Sequence, residues 1–234
     1  MAYRWRKVFK LSVIRIDDVR IAARRPEFVQ SITKSLYKET YETYERVLLR
    51  AAVVPGDRVL EIGAGIGLTG LLAARLAGPA GSVVSYEANP ALKDVIQDNY
   101  ALNADAPRPE LRMKMITADG DSKPFHVAEN LLSSSLYQRF DAVAGAQTAI
   151  EVPSQTFADA LAEVRPDILA MDVEGAEADL LTSPVPEGVR AMVVELHPHV
   201  IGAERTEALL ASLTAQGFTM EMRMRKNVLL RRQE

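Results

Sequence analysis

The 234-residue chain has no cysteine. Disulfides, thiolate zinc sites, iron–sulfur clusters and cysteine nucleophiles are therefore excluded, so its chemistry must come from oxygen and nitrogen groups or from a borrowed cofactor. Long apolar runs are missing as well. None approaches the roughly 18 residues that a membrane-spanning helix needs, and the opening MAYRWRKVFKLSV carries charges with no apolar stretch behind it. Export and membrane insertion are not expected, which makes the cytoplasm the expected location. Repeats and low-complexity tracts are absent too. With 48% hydrophobic and 25% charged residues the composition is that of an ordinary globule, which excludes disordered and collagen-like designs. The length fits one large domain with a short appendage.

Charge is distributed unevenly. Residues 1–52 hold 12 Lys/Arg against 6 Asp/Glu, and the remainder 16 against 25. Such a basic arm can meet nucleic acid or an anionic surface, but charges on a strand and a helix that simply face water are the plainer reading. A nucleic-acid partner is not expected.

Residues 10–21 alternate like a strand, and residues 26–52 carry Phe28, Ile32, Leu36, Tyr41, Tyr44, Val47 and Leu48 at helical spacing. After the Pro55-Gly56-Asp57 turn comes a regular succession. Strand 58–62 leads through glycines to helix 68–76, followed by strand 82–86, helix 91–102 and strand 112–117. Strand 168–172, helix 176–181, strand 191–196 and helix 206–216 follow later. Alternation of this kind implies right-handed crossovers and a mostly parallel sheet covered on both faces. Two last strands, 219–223 and 228–231, lack an intervening helix and form an antiparallel edge hairpin. The irregular stretch at about 120–157 reads as a flap inserted over the functional end of the sheet.

In a doubly wound sheet, ligands bind beyond the carboxyl ends of the strands, where strand order reverses. The first strand delivers Glu61-Ile62-Gly63-Ala64-Gly65-Ile66-Gly67 there, and glycines let backbone approach a ligand closely. Glu87 ends the second strand, 24 positions after Gly63, where an acid can accept both hydroxyls of a ribose. Together they point to an adenosine-containing cofactor. Gly65, Gly67 and Gly70 also satisfy the dinucleotide pattern G-x-G-x-x-G, so a nicotinamide enzyme stays an alternative. Glu61 favours a cationic ligand, since a pyrophosphate gains nothing from a carboxylate beside it. A non-catalytic binding module is the third reading.

RVLEIGAGIGLTG resembles the first motif of class I S-adenosylmethionine-dependent methyltransferases, and VVSYEANP their second. More specifically, the chain resembles the FkbM-type methyltransferases. YETYERVLLRAAVVPGDRVLEIGAGIG, VVSYEANPALKDVIQDNYALN, the ADGD…SSSL stretch, DILAMDVEGAEADLL and VVELHP occur in family order over roughly two thirds of the chain. The family usually has Asp at Glu61, Asn at Gly65 and Pro at Ala88. The resemblance implies a seven-stranded Rossmann-like α/β methyltransferase domain over 53–234, doubly wound, preceded by a strand and capping helix over 1–52. It also implies S-adenosylmethionine as cofactor. Gly63, Ala64, Gly65 and Gly67 would hold its methionine part, Glu87 with Asn89 its ribose, and Asp119 would lie near its adenine, unless Asp119 instead forms a local Asx turn. Tyr37, Tyr41 or Glu42 on the capping helix would reach the pocket, while the three- and four-residue spacing of Tyr37, Tyr41 and Tyr44 also reads as one face packed on the sheet.

Methyl transfer is an in-line displacement, so the protein chiefly aligns the nucleophile and removes its proton. Asp172, Glu174 and Glu177 in MDVEGAE, and Glu195 and His197 in VVELHPH, converge on one rim, with Asp172, Glu174, Glu195 and His197 as catalytic candidates. Asp172 is expected to face the cofactor's ammonium, His197 to act as base, and Glu195 to orient it or bind substrate. Glu174 has the alternative of a helix-start acid. His197 and His199 with Asp172 and Glu174 form a conceivable ligand set, yet Pro198 interrupts the spacing and no metal is assigned. Ser133, Ser134 and Ser135 in the flap are candidates for receiving substrate. The expected acceptor is a hydroxyl on a small molecule or glycan, specifically a sugar or secondary metabolite in a bacterial cytoplasm. A homodimer through the strand at 10–21 is conceivable.

Overall fold

A computed structural model describes residues 2–121, 123–128 and 147–233. Its centre is a seven-stranded sheet built from β3 (Arg58–Ile62), β4 (Ser82–Tyr86), β5 (Glu110–Arg112), β10 (Ile168–Met171), β11 (Ala191–Glu195), β12 (Phe218–Met224) and β13 (Asn227–Arg232). The spatial order is β12-β13-β11-β10-β3-β4-β5. The first five strands by sequence run parallel, while β13 pairs antiparallel with β11 and β12 with β13, so the edge hairpin is present as expected. Strand order reverses between β3 and β10, which puts a crevice beyond their carboxyl ends.

Strand periodicity sorts side chains to two faces. Leu60, Val84, Leu169, Met171, Met192 and Val194 join one core cluster, together with Phe157 and Leu161 of α6 (Phe157–Val164) and Leu209 and Leu213 of α9 (Ala203–Ala215). Val59, Val83, Ile168, Ala170, Ala191 and Val193 join the other, with Leu48 and Leu49 of α3 (Thr43–Ala52) and Ala73, Ala74 and Ala77 of α4 (Leu68–Ala77). Both faces are dry, which is why these strands read as apolar runs. α4 is apolar nearly all round because its outer side is covered too.

That outer cover is the N-terminal segment, which departs from its sequence reading in three ways. Residues 10–21 are not one strand but a hairpin of β1 (Val13–Ile16) and β2 (Val19–Ala22). Its turn residues Asp17 and Asp18 both have positive φ, 47° and 67°, the conformation of a tight primed turn without its usual glycine. The single helix expected over 26–52 is broken into α2 (Gln30–Lys38) and α3. Glu39 ends α2 in the left-handed region, its N–H bonded to the Leu36 carbonyl and that of Thr40 to Ser35. Buried Arg46 bridges the break, donating to the carbonyls of Glu39 and Tyr41 and pairing with Asp17 at the hairpin turn. A further helix, α1 (Ala2–Val8), was not foreseen.

The hairpin buries Ile14, Ile16, Val19 and Ile21 with Leu68, Leu71, Val95 and Ile96, the last two on α5 (Lys93–Leu102). α5 also satisfies the hairpin's edge: Asn103 and Asn99 side chains accept from the N–H groups of Arg20 and Ala22, as a neighbouring strand would. Arg20 pairs with Asp105, and Arg25 with Asp98 and Glu27. Part of the basic excess of the first 52 residues is thus complementary to acids on and just after α5.

The expected strand 112–117 is split. Lys114 N–H turns back onto the Arg112 carbonyl, so β5 stays in the main sheet while β6 (Met115–Thr117) pairs with β9 (Ser154–Thr156). β7 (Pro124–Ala128) and β8 (Gln147–Glu151) form an antiparallel pair. Met115, Phe125 and Val152 pack this flap together. Ser133, Ser134 and Ser135 lie outside the described residues. α6, capped by the Thr156 hydroxyl on the Asp159 N–H, follows directly and was also not foreseen. Among the described residues no helix is long and apolar enough to cross a membrane. The remaining short helices, α7 (Glu177–Leu180) and α8 (Pro198–Ile201), follow β10 and β11.

Candidate active site

β3 ends at the reversal of strand order and turns at Gly63, Gly65 and Gly67, all with positive φ. Gly63 has no substitute here, because a Cβ would stand 1.9 Å from the Asp172 carbonyl oxygen. The turn is held by neighbouring β4: Gly63 and Ala64 N–H groups donate to the Tyr86 carbonyl. The Glu87 carboxylate then fixes the turn's tip, one oxygen accepting from Gly65 N–H at 2.9 Å and the other from Asn89 N–H at 2.7 Å. Asn89 caps the short turn before α5 by accepting from Ala91 N–H. Its side chain therefore shapes the Glu87 corner.

Beyond the turn lies a cleft open to solvent on one side. Its walls are the glycine turn, Glu87, Asp172 and Glu174 after β10, Tyr41, Glu42 and Glu45 from the α2–α3 break, and Lys114, Met115 and Phe125 from the flap side. Of the sequence candidates, Glu42, Gly63, Ala64, Gly65, Glu87, Asp172 and Glu174 meet there.

The others do not line it. Glu61 points beneath the turn, toward the Ser85 and Thr69 hydroxyls. It also explains Gly70, where a Cβ would lie 2.5 Å from Glu61 Oε2. Gly70 is thus small to seat α4 over a buried acid, which removes it from a pyrophosphate loop. Gly67 starts α4, where a Cβ would press on Tyr100. Asp119 is exposed, accepts from Asp121 N–H and pairs with Lys123, so the local-turn reading describes it. Glu195 is buried, bound by Asn227 at 2.9 Å and by Lys226. His197, expected as the base, lies fully buried behind the cleft.

His197 is nonetheless the hub of the acids. Its Nε2 is 3.3 Å from Glu195 Oε1 and 3.5 Å from both Asp172 Oδ1 and Glu174 Oε2. Its backbone N–H donates to Glu177 Oε1 at 2.7 Å, while Glu177 Oε2 accepts from Gly175 N–H. Burial alone would lower the imidazole pKa, but Glu177 and the charges of Asp172 and Glu174 outweigh it and leave the pKa raised. An imidazole with no exposed surface, set behind the cleft, is a poor base for a substrate within it.

Burial pushes the Glu87 carboxyl up to about 7, against the pull of the Asn89 and Gly65 N–H groups. Glu42 is likewise pushed up to about 7 by burial and by neighbouring Asp172, with Lys226 acting the other way. Glu45 is raised well above the carboxylate range by burial and by Glu42 and Asp172. Glu42 and Glu174 also hold left-handed backbone, φ 47° and 49°, strain of the kind kept at functional positions. The donor set is thus rich in acid, and it fits a ligand carrying ammonium and sulfonium charges. Glu45, Lys114 and Phe125 were not among the site candidates. Glu45 follows Tyr41 by four residues, a helical spacing in the sequence and the single signal that was present, although Tyr41 lies in the break before α3; Lys114 and Phe125 reach the cleft only through the flap's fold.

A doubly wound sheet with a glycine turn at its reversal point, and an acid from the adjacent strand fixing that turn, defines a Rossmann-like cofactor domain. The family described as methyltransferase FkbM domain matches residues 61–220, and the chain belongs to that family. It is accordingly a methyltransferase dependent on S-adenosylmethionine. No curated protein matches the chain. Among solved structures it is similar to magnesium protoporphyrin IX methyltransferase from Synechocystis PCC 6803 with bound S-adenosylmethionine, at 12% identity over 98% of this chain and 90% of that one, TM-score 0.49. It is also similar to an O-methyltransferase from Bacillus cereus in complex with S-adenosylhomocysteine, at 15% identity over 82% and 79%, TM-score 0.47. A third is the ribosomal protein L11 methylase of Lactobacillus delbrueckii subsp. bulgaricus, at 15% identity over 83% and 80%, TM-score 0.48.

Proposed function

We propose that the chain methylates a hydroxyl oxygen of a sugar or small secondary metabolite in a bacterial cytoplasm. The observation that carries this reading is the acid-walled cleft at the strand-order reversal, where Glu42, Glu45 and Glu87 face a common space with the glycine turn. S-adenosylmethionine supplies an electrophilic methyl group on a sulfonium. Gly63 and Gly65 leave room for its methionine part, Glu87 has lone pairs to accept its ribose hydroxyls, and Glu45 faces its positive charge. Glu42, at the mouth between the capping helices, takes the proton of the acceptor hydroxyl. A positioned base of this kind contributes typically about 10²- to 10⁴-fold. Lys114 and Phe125 give the acceptor side one charged and one apolar wall, a pairing suited to a hydroxylated ring.

Calorimetry with S-adenosylhomocysteine and with NADH tests the cofactor. Binding of NADH with none of the homocysteine compound sinks the reading. Labelled S-adenosylmethionine offered with panels of hydroxylated glycans and of amines tests the acceptor, where transfer confined to amines rules out the hydroxyl.

A further inference from the structure

Behind the cleft, His197 poses a problem of its own. Its side chain is 0% exposed, with Glu177 3.3 Å from Nδ1, yet Nε2 makes no hydrogen bond. Three carboxylate oxygens surround Nε2 at 3.3 to 3.5 Å, beyond the usual reach of about 2.7–3.2 Å for an N–H donor. One hydrogen could in any case serve only one of them. Two ligand atoms about 2.1 Å from a shared tetrahedral ion, however, stand about 3.4 Å apart. Asp172 Oδ1 and Glu174 Oε2, each 3.5 Å from Nε2, stand at about that spacing.

We propose that Asp172, Glu174 and His197 Nε2 bind one divalent transition-metal cation of the Mn²⁺ or Co²⁺ kind. Their ligand atoms all lie within 4.8 Å of one another. Adjacent parallel strands bring them together, since Met171 pairs with Val194 in register and the three residues follow those strand ends. The supporting shell is in place. Glu177 holds the His197 backbone N–H and sits 3.3 Å behind Nδ1, as carboxylates back ligating imidazoles and aim the other nitrogen at the metal. Lys226 and Asn227 hold Glu195, whereas Asp172 and Glu174 open on the cleft. One nitrogen with two carboxylates and no sulfur selects among Mn²⁺, Fe²⁺, Co²⁺ and Zn²⁺ rather than softer ions.

The site deepens the hydroxyl-methylation reading and rests on it for its role: an ion there offers the acceptor oxygen a fixed positive partner, while Glu42 remains as its base and Glu45 for the cationic donor. It also takes Asp172 away from the donor's ammonium, where the family resemblance had put it.

The test is titration of chelator-treated full-length protein with Mn²⁺, followed by the loss of the free-ion paramagnetic resonance signal. One equivalent is expected to bind, and Glu174→Gln and Asp172→Asn each to weaken it about tenfold or more. Glu174 is 17% exposed, so its variant tests the site without opening the core. Glu45→Gln and the remote, exposed Glu187→Gln are expected to bind as wild type does. Absence of Mn²⁺ binding, binding that survives Glu174→Gln, or loss in Glu45→Gln instead overturns the site. S-adenosylhomocysteine is titrated separately in chelator. Its binding without Mn²⁺ binding removes the ion alone, and the converse removes the methyltransferase pocket alone.

Discussion

Glu87 offers the sharpest test of the site's electrostatics. The residue is 7% exposed, and its carboxyl is pushed up to about 7 from an ordinary 4.5. Because the folded state holds this proton to higher pH than the unfolded chain does, the associated stability is fully present below about 4.5 and is lost as pH rises through about 7. The shift of about 2.5 units corresponds to roughly 3 kcal/mol in all, and to about 2–3 kcal/mol between about pH 5 and about pH 8. In Glu87→Gln the amide carries no such penalty. It has one acceptor oxygen for the two N–H groups of Gly65 and Asn89, a cost of about 1 kcal/mol that does not vary with pH. Urea unfolding of both proteins at the two pH values isolates the ionisation. The variant is expected to gain about 2–3 kcal/mol on wild type from the lower to the higher pH. A stability difference that is the same at both values refutes the desolvation argument. The same variant should bind S-adenosylhomocysteine about 10- to 100-fold more weakly, as loss of a charged hydrogen bond to ribose implies.

Other outcomes follow from the packing. Gly63→Ala places a methyl 1.9 Å from the Asp172 carbonyl at φ 95° and is expected either to prevent folding or to abolish cofactor binding, checked by circular dichroism and calorimetry. Arg46→Met removes the cation that ties the α2–α3 break to Asp17 and the donor to the Glu39 and Tyr41 carbonyls; a loss of about 2–3 kcal/mol by denaturant titration is expected, since Asp17 stays partly solvated and paired with Arg50. Asp18→Gly relieves a φ of 67° and gives up only an exposed contact with Arg15, for a gain of up to about 1 kcal/mol in the same assay. Glu42→Gln should lower turnover at least about 100-fold while S-adenosylhomocysteine binding changes little, measured by single-turnover kinetics and calorimetry.

The sheet was legible because its signals are local. Apolar runs of strand length, glycines after Ile62 and the acid at Glu87 each follow from what a short segment must do. The helix break at Glu39–Glu42 was not legible, since acids rarely take left-handed backbone and nothing nearby signals it; buried Arg46, 29 positions after Asp17, holds it. The split of 112–117 depended on pairing with β9 from across the flap. His197 illustrates the same limit at the site. Its residue type and place after a strand fitted a base, but whether a strand-end side chain faces the cleft or the core depends on neighbours from other elements.

The missing cysteines and the acids of the motifs thus determined, from sequence alone, an oxygen-and-nitrogen chemistry served by a borrowed cofactor on a doubly wound sheet. Tertiary structure decided which acids meet. Glu61 went under α4, Asp119 to the surface, and Glu45 and Glu42 into the cleft, while Asp172, Glu174, Glu177 and Glu195 closed around one imidazole. The physical reason is range: periodicity and turn chemistry act over a few residues, whereas burial and the field of neighbouring charges are set by segments far apart in the chain.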